Sequence, residues 1–151
     1  MKRKLMYFLL SALGFSAACD KHENEPGQVC MYGTPRIDFR IRGKVSDPAG
    51  NPIPGIEVRG GQGSYCDAEP AFTDKEGLYD IAGSAFPAAF DLSFNDIDGP
   101  ENGGEFEPKT LSVRFADDEQ TQPGEGGWFQ GTYARTGADV TLAEKSVAEE
   151  E

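Results

Sequence analysis

The sequence predicts an all-β protein, an antiparallel sandwich of about seven strands that follows an N-terminal signal peptide. Apolar and polar residues alternate along several short segments, as they do in half-buried strands. Clusters of Gly, Pro, Asn and Asp separate these segments and are typical of tight turns. After the signal peptide, no apolar pattern with the helical period of about 3.6 residues continues long enough to predict a helix.

The N-terminal segment has the three parts of a secretory signal peptide. Residues 2–4 carry three positive charges, residues 5–15 form an apolar run, and small residues occupy positions 16–18. The apolar run is 11 residues long, whereas a helix that spans a bilayer needs about 18 or more. Residues 1–18 are therefore predicted to be a signal peptide that is removed on export.

Cys19 directly follows the small residues, and this arrangement resembles the lipobox of bacterial lipoproteins. Ser16 stands where that box usually has Leu. The resemblance implies cleavage before Cys19 and lipid on its sulfur and amine, and several acyl chains hold a protein stably on a membrane. We therefore expect a lipid-anchored protein of the cell envelope, on the outer membrane and facing the periplasm or the cell surface. An ordinary secreted protein that is cut elsewhere is the alternative.

The charge of the chain limits its partners. The formal net charge is −12, and the signal contains three positive and no negative residues, so the mature chain is more acidic still. Such a chain repels nucleic acid and anionic lipid headgroups. The sequence therefore predicts no nucleic-acid partner. It predicts that the lipid, and not a basic surface, attaches the chain to a membrane.

The cysteine count favours one disulfide. Cys30 and Cys66 remain once Cys19 is lipidated, and an exported chain meets an oxidising compartment. The bridge would close a loop of about 37 residues and contribute roughly 4 kcal/mol. Two free thiols or a thiolate metal site are the alternatives, although the single histidine, His22, makes a poor metal set with two cysteines.

Composition divides the exported chain into three parts. Residues 19–34 are polar at first, with early acidic residues that resemble cell-surface export signals, and are predicted to be a tether. Residues 35–143 are predicted to form the sandwich domain. Residues 144–151 are acidic and are predicted to be a disordered tail.

The clearest strand covers residues 37–46. Ile37, Phe39, Ile41 and Val45 fall on one face with Gly43 in the same register, while charged and polar residues fall on the other. Turn residues at 47–52 and 73–77 and a Gly-rich loop at 60–69 divide the segments that follow. Further strands are predicted at residues 53–58, 78–81, 89–94, 111–115 and 138–142.

One long motif resembles a known fold family. Residues 43–58 read GKVSDPAGNPIPGIEV and residues 73–79 read TDKEGLY. The two resemble the carboxypeptidase regulatory-like domains, which have a prealbumin-like or transthyretin-like Greek-key sandwich of seven strands. The resemblance covers about residues 37–82 and implies the fold. It implies no activity, because these domains are scaffolds on many proteins.

A second resemblance covers nearly the whole chain. The signal is followed by residues 30–35 (CMYGTP), the sandwich, and residues 133–140 (YARTGADV). This arrangement is similar to the radical-SAM-associated lipoproteins of Bacteroidota, which are thought to be encoded beside a radical SAM enzyme. The resemblance implies such an enzyme as a partner, and Tyr32, Gly33 and Pro35 as candidate positions of modification or interaction, with Cys30. A turn and a disulfide half are the alternative explanation of these residues.

An acidic loop offers a weak candidate for Ca²⁺ binding. Asp96, Asp98 and Glu101 lie in a Gly-rich segment, and carboxylate oxygens are the ligands that Ca²⁺ prefers. The EF-hand pattern fails, because its fifth position is Pro100. A solvated hairpin loop is the preferred interpretation, and no metal or cofactor is expected.

Catalysis is not predicted. His22 lies in the tether, so a Ser or Cys nucleophile has no histidine base in the domain; a small hydrolase with paired carboxylates is left as an alternative. Trp128, Phe129 and Tyr133 could form a platform for a ligand, or face inward as strand aromatics usually do. The sequence thus predicts a non-enzymatic accessory lipoprotein, the partner or substrate of a radical SAM enzyme. A cell-surface glycan- or protein-binding module is the alternative.

Overall fold

The first strand, β1, is the longest element of the fold and has hydrogen-bonded partners on both sides. The computed structural model describes residues 33–61 and 65–146. Within them, β1 is followed by nine shorter strands and two single 3₁₀ turns at Glu101–Gly103 and Asp117–Glu119. The strands are β1 (Arg36–Ser46), β2 (Ile56–Gly60), β3 (Cys66–Ala68), β4 (Ala71–Phe72), β5 (Leu78–Ala85), β6 (Phe90–Asp96), β7 (Lys109–Val113), β8 (Gln120–Gly126), β9 (Phe129–Arg135) and β10 (Val140–Thr141).

The strands form two sheets, which confirms the predicted all-β sandwich. The first sheet has the order β3-β5-β1-β9-β8, with β10 also paired to β1, and the second has the order β4-β2-β6-β7. Two strand pairs depart from the predicted antiparallel arrangement, since β1 runs parallel to β9 and to β10. Side chains alternate in the same way in parallel and antiparallel strands, so the sequence pattern carries no information on strand direction.

The core lies between the two sheets. The alternation predicted for β1 is confirmed, because Ile37, Phe39, Ile41 and Val45 are each at most 2% exposed. The rings of Phe39 and Phe90, which come from opposite sheets, have their centroids 4.8 Å apart. The sheets are therefore joined by direct aromatic contact, which adds to the stabilisation from burial.

A close approach of another part of the backbone explains why position 43 is a glycine. A Cβ atom at this position would lie 2.1 Å from the carbonyl oxygen of Ala138. The amide of Ala138 donates to the carbonyl of Arg42 at 3.1 Å, and the hydroxyl of Tyr79 donates to the carbonyl of Ala138 at 2.6 Å. The segment that leads into β10 is thus fixed directly over β1.

A buried threonine fixes the start of β2. Thr73 is 6% exposed. Its hydroxyl donates to the carbonyl of Ile53 at 2.7 Å and accepts from the amide of Ile56 at 2.9 Å. These bonds satisfy backbone groups of two buried residues, Ile53 and Ile56.

Backbone pairing continues past residue 143 at the end of the domain. Phe106 forms a bridge with Glu144, and the amide of Lys145 donates to the carbonyl of Glu105 at 2.8 Å. Residues 147–151 of the predicted acidic tail lie outside the described residues. No helix in the described ranges is long and apolar enough to cross a membrane.

Thr73→Val should destabilise the domain by about 3 kcal/mol, because a buried donor and a buried acceptor both lose their partner while the shape is kept. Urea unfolding, followed by circular dichroism, measures the change. Thr141→Val is the matched control, since Thr141 is exposed on β10. Equal effects of the two substitutions would contradict the role given to the Thr73 hydroxyl.

Candidate functional site

Several of the predicted site residues lie outside the described part of the chain. These are Cys19, Cys30 and Tyr32, together with the signal segment 1–18. Lipidation, export and the disulfide therefore stay predictions. The other candidate residues lie within the described part of the chain, and some of them contact one another.

Gly33 and Trp128 meet where the described chain begins. A Cβ atom on Gly33 would lie 2.9 Å from Cε2 of the Trp128 indole. The amide of Arg36 donates to the carbonyl of Trp128 at 2.7 Å, and its guanidinium lies 5.9 Å from the centre of the Phe129 ring. Gly33 thus has a structural reason to be glycine, and one side of the indole is covered by the chain itself.

The three aromatic residues of the suggested platform do not share a surface. Phe129 is the cross-strand partner of Arg36, whereas Tyr133 is the partner of the buried Phe39, because the register shifts between these pairs. Tyr133 stacks on Phe115 with ring centroids 5.3 Å apart, and both rings pack against the core. The bulge therefore turns Tyr133 inward and leaves Phe129 beside Arg36.

Cys66 lies at the edge of the first sheet, on β3. It is a free thiol among the described residues, which do not include Cys30, its predicted partner. Burial, and to a smaller extent the charge of Asp67, raises the pKa of the thiol to about 11. In its reduced form Cys66 is therefore protonated at neutral pH and is a poor nucleophile.

The acidic loop uses its carboxylates to fix its own backbone. Asp96 accepts from the amides of Asp98 and Gly99 through Oδ1, and from the amide of Phe106 at 2.9 Å through Oδ2. Asp98 in turn accepts from the side chain of Asn102. Within residues 33–61 and 65–146 no group of three His, Cys, Asp or Glu is arranged to hold a metal ion. Asp96 and Asp98 thus hold the loop through contacts within the loop and with the backbone that follows it.

Two arginines on the outer face of β1 converge on one aspartate. Arg40 donates to Asp80 through Nε at 2.8 Å and Nη2 at 2.6 Å, and Arg42 donates through Nε at 2.8 Å. Hydrogen bonds from Arg40 first, and then from Arg42, lower the pKa of Asp80 to about 2. We call Arg40, Arg42 and Asp80 the charged triad.

An open groove of about 870 Å³ lies beside the charged triad. Its lining includes Arg42, Asp80 and two unusually exposed apolar side chains, Phe72 at 53% and Leu78 at 45% exposure. Sequence reasoning missed this surface. Leu78 precedes Tyr79 in the same strand, and alternation allows only one of two consecutive residues to face the core.

The comparisons with known proteins give no family for this chain. No protein-family model and no curated protein sequence matches it. Among solved structures it is similar to the crystal structure of a DUF3823 family protein from Parabacteroides merdae, with a TM-score of 0.36 and 14% sequence identity. The match covers 74% of this chain and 46% of that chain, so the chain spans about half the length of this solved protein.

Gly33→Val should displace the indole of Trp128, because there is no room for a side chain between them. Trp128 is the only tryptophan of the chain, so its fluorescence reports the contact directly. We expect emission at longer wavelength and a loss of stability of about 1 kcal/mol. Thr34→Val, at the exposed neighbouring position, is the control. Unchanged emission in the Gly33 variant would show that the indole packs elsewhere.

Asp80→Asn tests the charged triad through pH. Because the pKa of Asp80 is lower in the folded chain than its usual 3.8, the ionised carboxylate stabilises the fold above about pH 4, and this contribution is lost between about pH 4 and pH 2. The side chains are partly exposed, so the effect should stay under about 1 kcal/mol.

Urea unfolding of both proteins from about pH 5 to pH 2 measures this effect. The difference in unfolding free energy between wild type and variant should shrink toward zero as the pH falls. Asp118→Asn, in an exposed 3₁₀ turn, controls for the loss of one negative charge. A difference that stays constant over the whole range would contradict the triad.

Proposed function

We propose that the chain is an exported, lipid-anchored β-sandwich accessory protein of the cell envelope, and that it is the partner or substrate of a radical SAM enzyme. One observation carries the second half of this proposal. Gly33 and Thr34, which belong to the segment of the family resemblance, are exposed at the start of the domain. An enzyme can therefore reach Gly33 and Thr34 without unfolding the sandwich.

Four titratable groups of the described chain have pKa values that are shifted away from neutral pH. The pKa of Glu119 is lowered, above all by the hydrogen bonds that it accepts from Arg135, as the pKa of Asp80 is by its arginines. The pKa values of Cys66 and Tyr79 are raised chiefly by burial, that of Tyr79 to about 12. A general acid or base works best with a pKa near the working pH, and these four shifts lead away from it.

The position of Cys66 is compatible with a bridge to Cys30. Cys66 pairs with Ala85, and Ala85 pairs with Ile37, so the three residues form one row across β3, β5 and β1. Two strand spacings separate Cys66 from Ile37 by about 10 Å, and the seven residues from Cys30 to Ile37 can span up to about 23 Å. A bridge would hold the candidate segment 30–35 against the sandwich.

A second candidate function is that of a protein-binding module. The groove beside the charged triad favours it, because Phe72 and Leu78 expose apolar surface between charged neighbours. Clustered exposed apolar side chains that are rimmed by polar ones are typical of contact surfaces for proteins.

Mass spectrometry of the mature chain from its native host tests the proposal. We expect an N-terminal peptide that begins at Cys19 and carries acyl mass, and a loss of two hydrogens for a bridge between Cys30 and Cys66. A substrate of the enzyme should carry further mass on residues 30–35, and this mass should be absent from a strain that lacks the enzyme. A partner should instead co-purify with it.

Cys19→Ser and Cys66→Ser are the controls, because the first should lose only the acyl mass and the second only the bridge. A chain whose mass is explained by lipid and disulfide alone, and which does not co-purify with the enzyme, would overturn the radical SAM half of the proposal. A mature N-terminus at another residue without acyl mass would overturn the anchor.

A further inference from the structure

The outer face of the second sheet gathers polar side chains from three strands. Glu57 is the cross-strand partner of Asn95, Arg59 is the partner of Ser93, and Ser93 is also the partner of Thr110. Directly paired residues point to the same side of a sheet. The register therefore places these five side chains together, on the side of the sheet away from the core.

These side chains line a hollow of about 610 Å³, which we call the polar hollow. A volume of this order is typical of sites for small molecules. Gly61 forms part of its wall, and a Cβ atom there would lie 2.8 Å from Cβ of Asp91. The amide of Gly61 donates to the carbonyl of Asp91 at 2.7 Å. At Gly61 the wall is thus held by the backbone, and this residue contributes no side chain to the space.

The polar groups of the hollow are held in place before any ligand arrives. Glu57 is only 7% exposed, and its carboxylate forms an ion pair with Arg59. A buried carboxylate needs such a partner, because removing its charge from water is costly. The side-chain amide of Asn95 donates to the hydroxyl of Ser93 at 3.3 Å. Such preorganisation lowers the entropy that a ligand must supply on binding.

The chemistry of the lining excludes several classes of ligand. Its charged groups are Glu57, Asp91 and Arg59, so the net charge is negative and disfavours phosphates and carboxylates. An apolar molecule would remove polar groups from water without giving them partners. Two carboxylates, one of them paired with Arg59, are too few ligands for a metal ion. A neutral molecule rich in hydroxyl groups avoids all three difficulties, because each hydroxyl both donates and accepts.

An exposed aromatic residue, which also lines the groove beside the charged triad, is the strand partner of one residue of the hollow. Phe72 is the cross-strand partner of Glu57 on β4, and it is 53% exposed. It therefore extends the row formed by Glu57 and Asn95 with an apolar surface. A sugar ring has one face of C–H groups and an edge of hydroxyls, and this row offers an apolar contact for the first and hydrogen-bonding groups for the second. We propose that the polar hollow, together with Phe72, binds a neutral saccharide.

This site differs from the surface around Trp128 that the sequence suggested, and it does not rest on a radical SAM partner. The test uses the full chain in detergent and isothermal titration calorimetry. The probes are neutral oligosaccharides of glucose, xylose, mannose and N-acetylglucosamine at millimolar concentration, with polygalacturonate as the anionic comparison. We expect binding of at least one neutral probe and none of polygalacturonate.

Two pairs of variants locate the binding. Phe72→Ala and Thr110→Val remove the ring and one hydroxyl of the site, and each should weaken the bound saccharide by about tenfold or more. Tyr65→Ala and Thr121→Val remove an exposed aromatic ring and an exposed hydroxyl outside the lining of the hollow, and they should leave the affinity unchanged. Circular dichroism checks that all four variants fold.

Three results would overturn the inference: no heat with any neutral probe, binding of polygalacturonate alone, or saccharide binding that survives both substitutions in the polar hollow. The mass-spectrometric test of the proposed function does not involve these residues. Each proposal can therefore fail while the other stands.

Discussion

The pairing of β1 on both of its edges is the constraint on which the rest of the structure depends. One edge carries β5 in antiparallel register, and the other carries β9 and then β10, both parallel. The inward residues of β1 supply much of one wall of the core, and its outward residues supply the arginines of the charged triad. The chain between β9 and β10 passes close to β1 at Gly43, where a Cβ atom would lie 2.1 Å from the carbonyl oxygen of Ala138.

The sequence was informative where side-chain chemistry alone decides the structure. The alternation in β1 predicted both its length and its buried face, because one side of the strand is apolar and the other charged. β8 could not be found in this way. All of its residues are exposed, so its sequence has no alternation of buried and exposed positions. It is a strand because its backbone pairs with β9, and its own residues give no sign of this pairing. The short strands β3 and β4 depend on neighbours in the same way, whereas β10 lies within the segment 138–142 that was predicted to be a strand.

The candidate sites likewise depend on contacts that the sequence alone does not predict. The sequence singled out Gly33 and Trp128 for separate reasons, and their contact could not be predicted because it joins the two ends of the domain through space. The polar hollow has no local motif at all, since its groups come from β2, β6 and β7 and meet only through the strand register. Phe72 sits in a strand of two residues, which is too short for any periodicity to indicate its direction.

The parallel pair of β1 and β10 also has a consequence for the order of events in folding. Val45, near the start of the domain, pairs with Val140, near its end. A chain that leaves a ribosome or a translocation pore with its N-terminus first exposes β1 long before β9 and β10 are available. Contacts between residues so distant in sequence form slowly, so the first sheet closes only after the whole domain has emerged. Until then one edge of β1 lacks its partner strands, and the charged side chains on its outer face discourage pairing with the wrong strand.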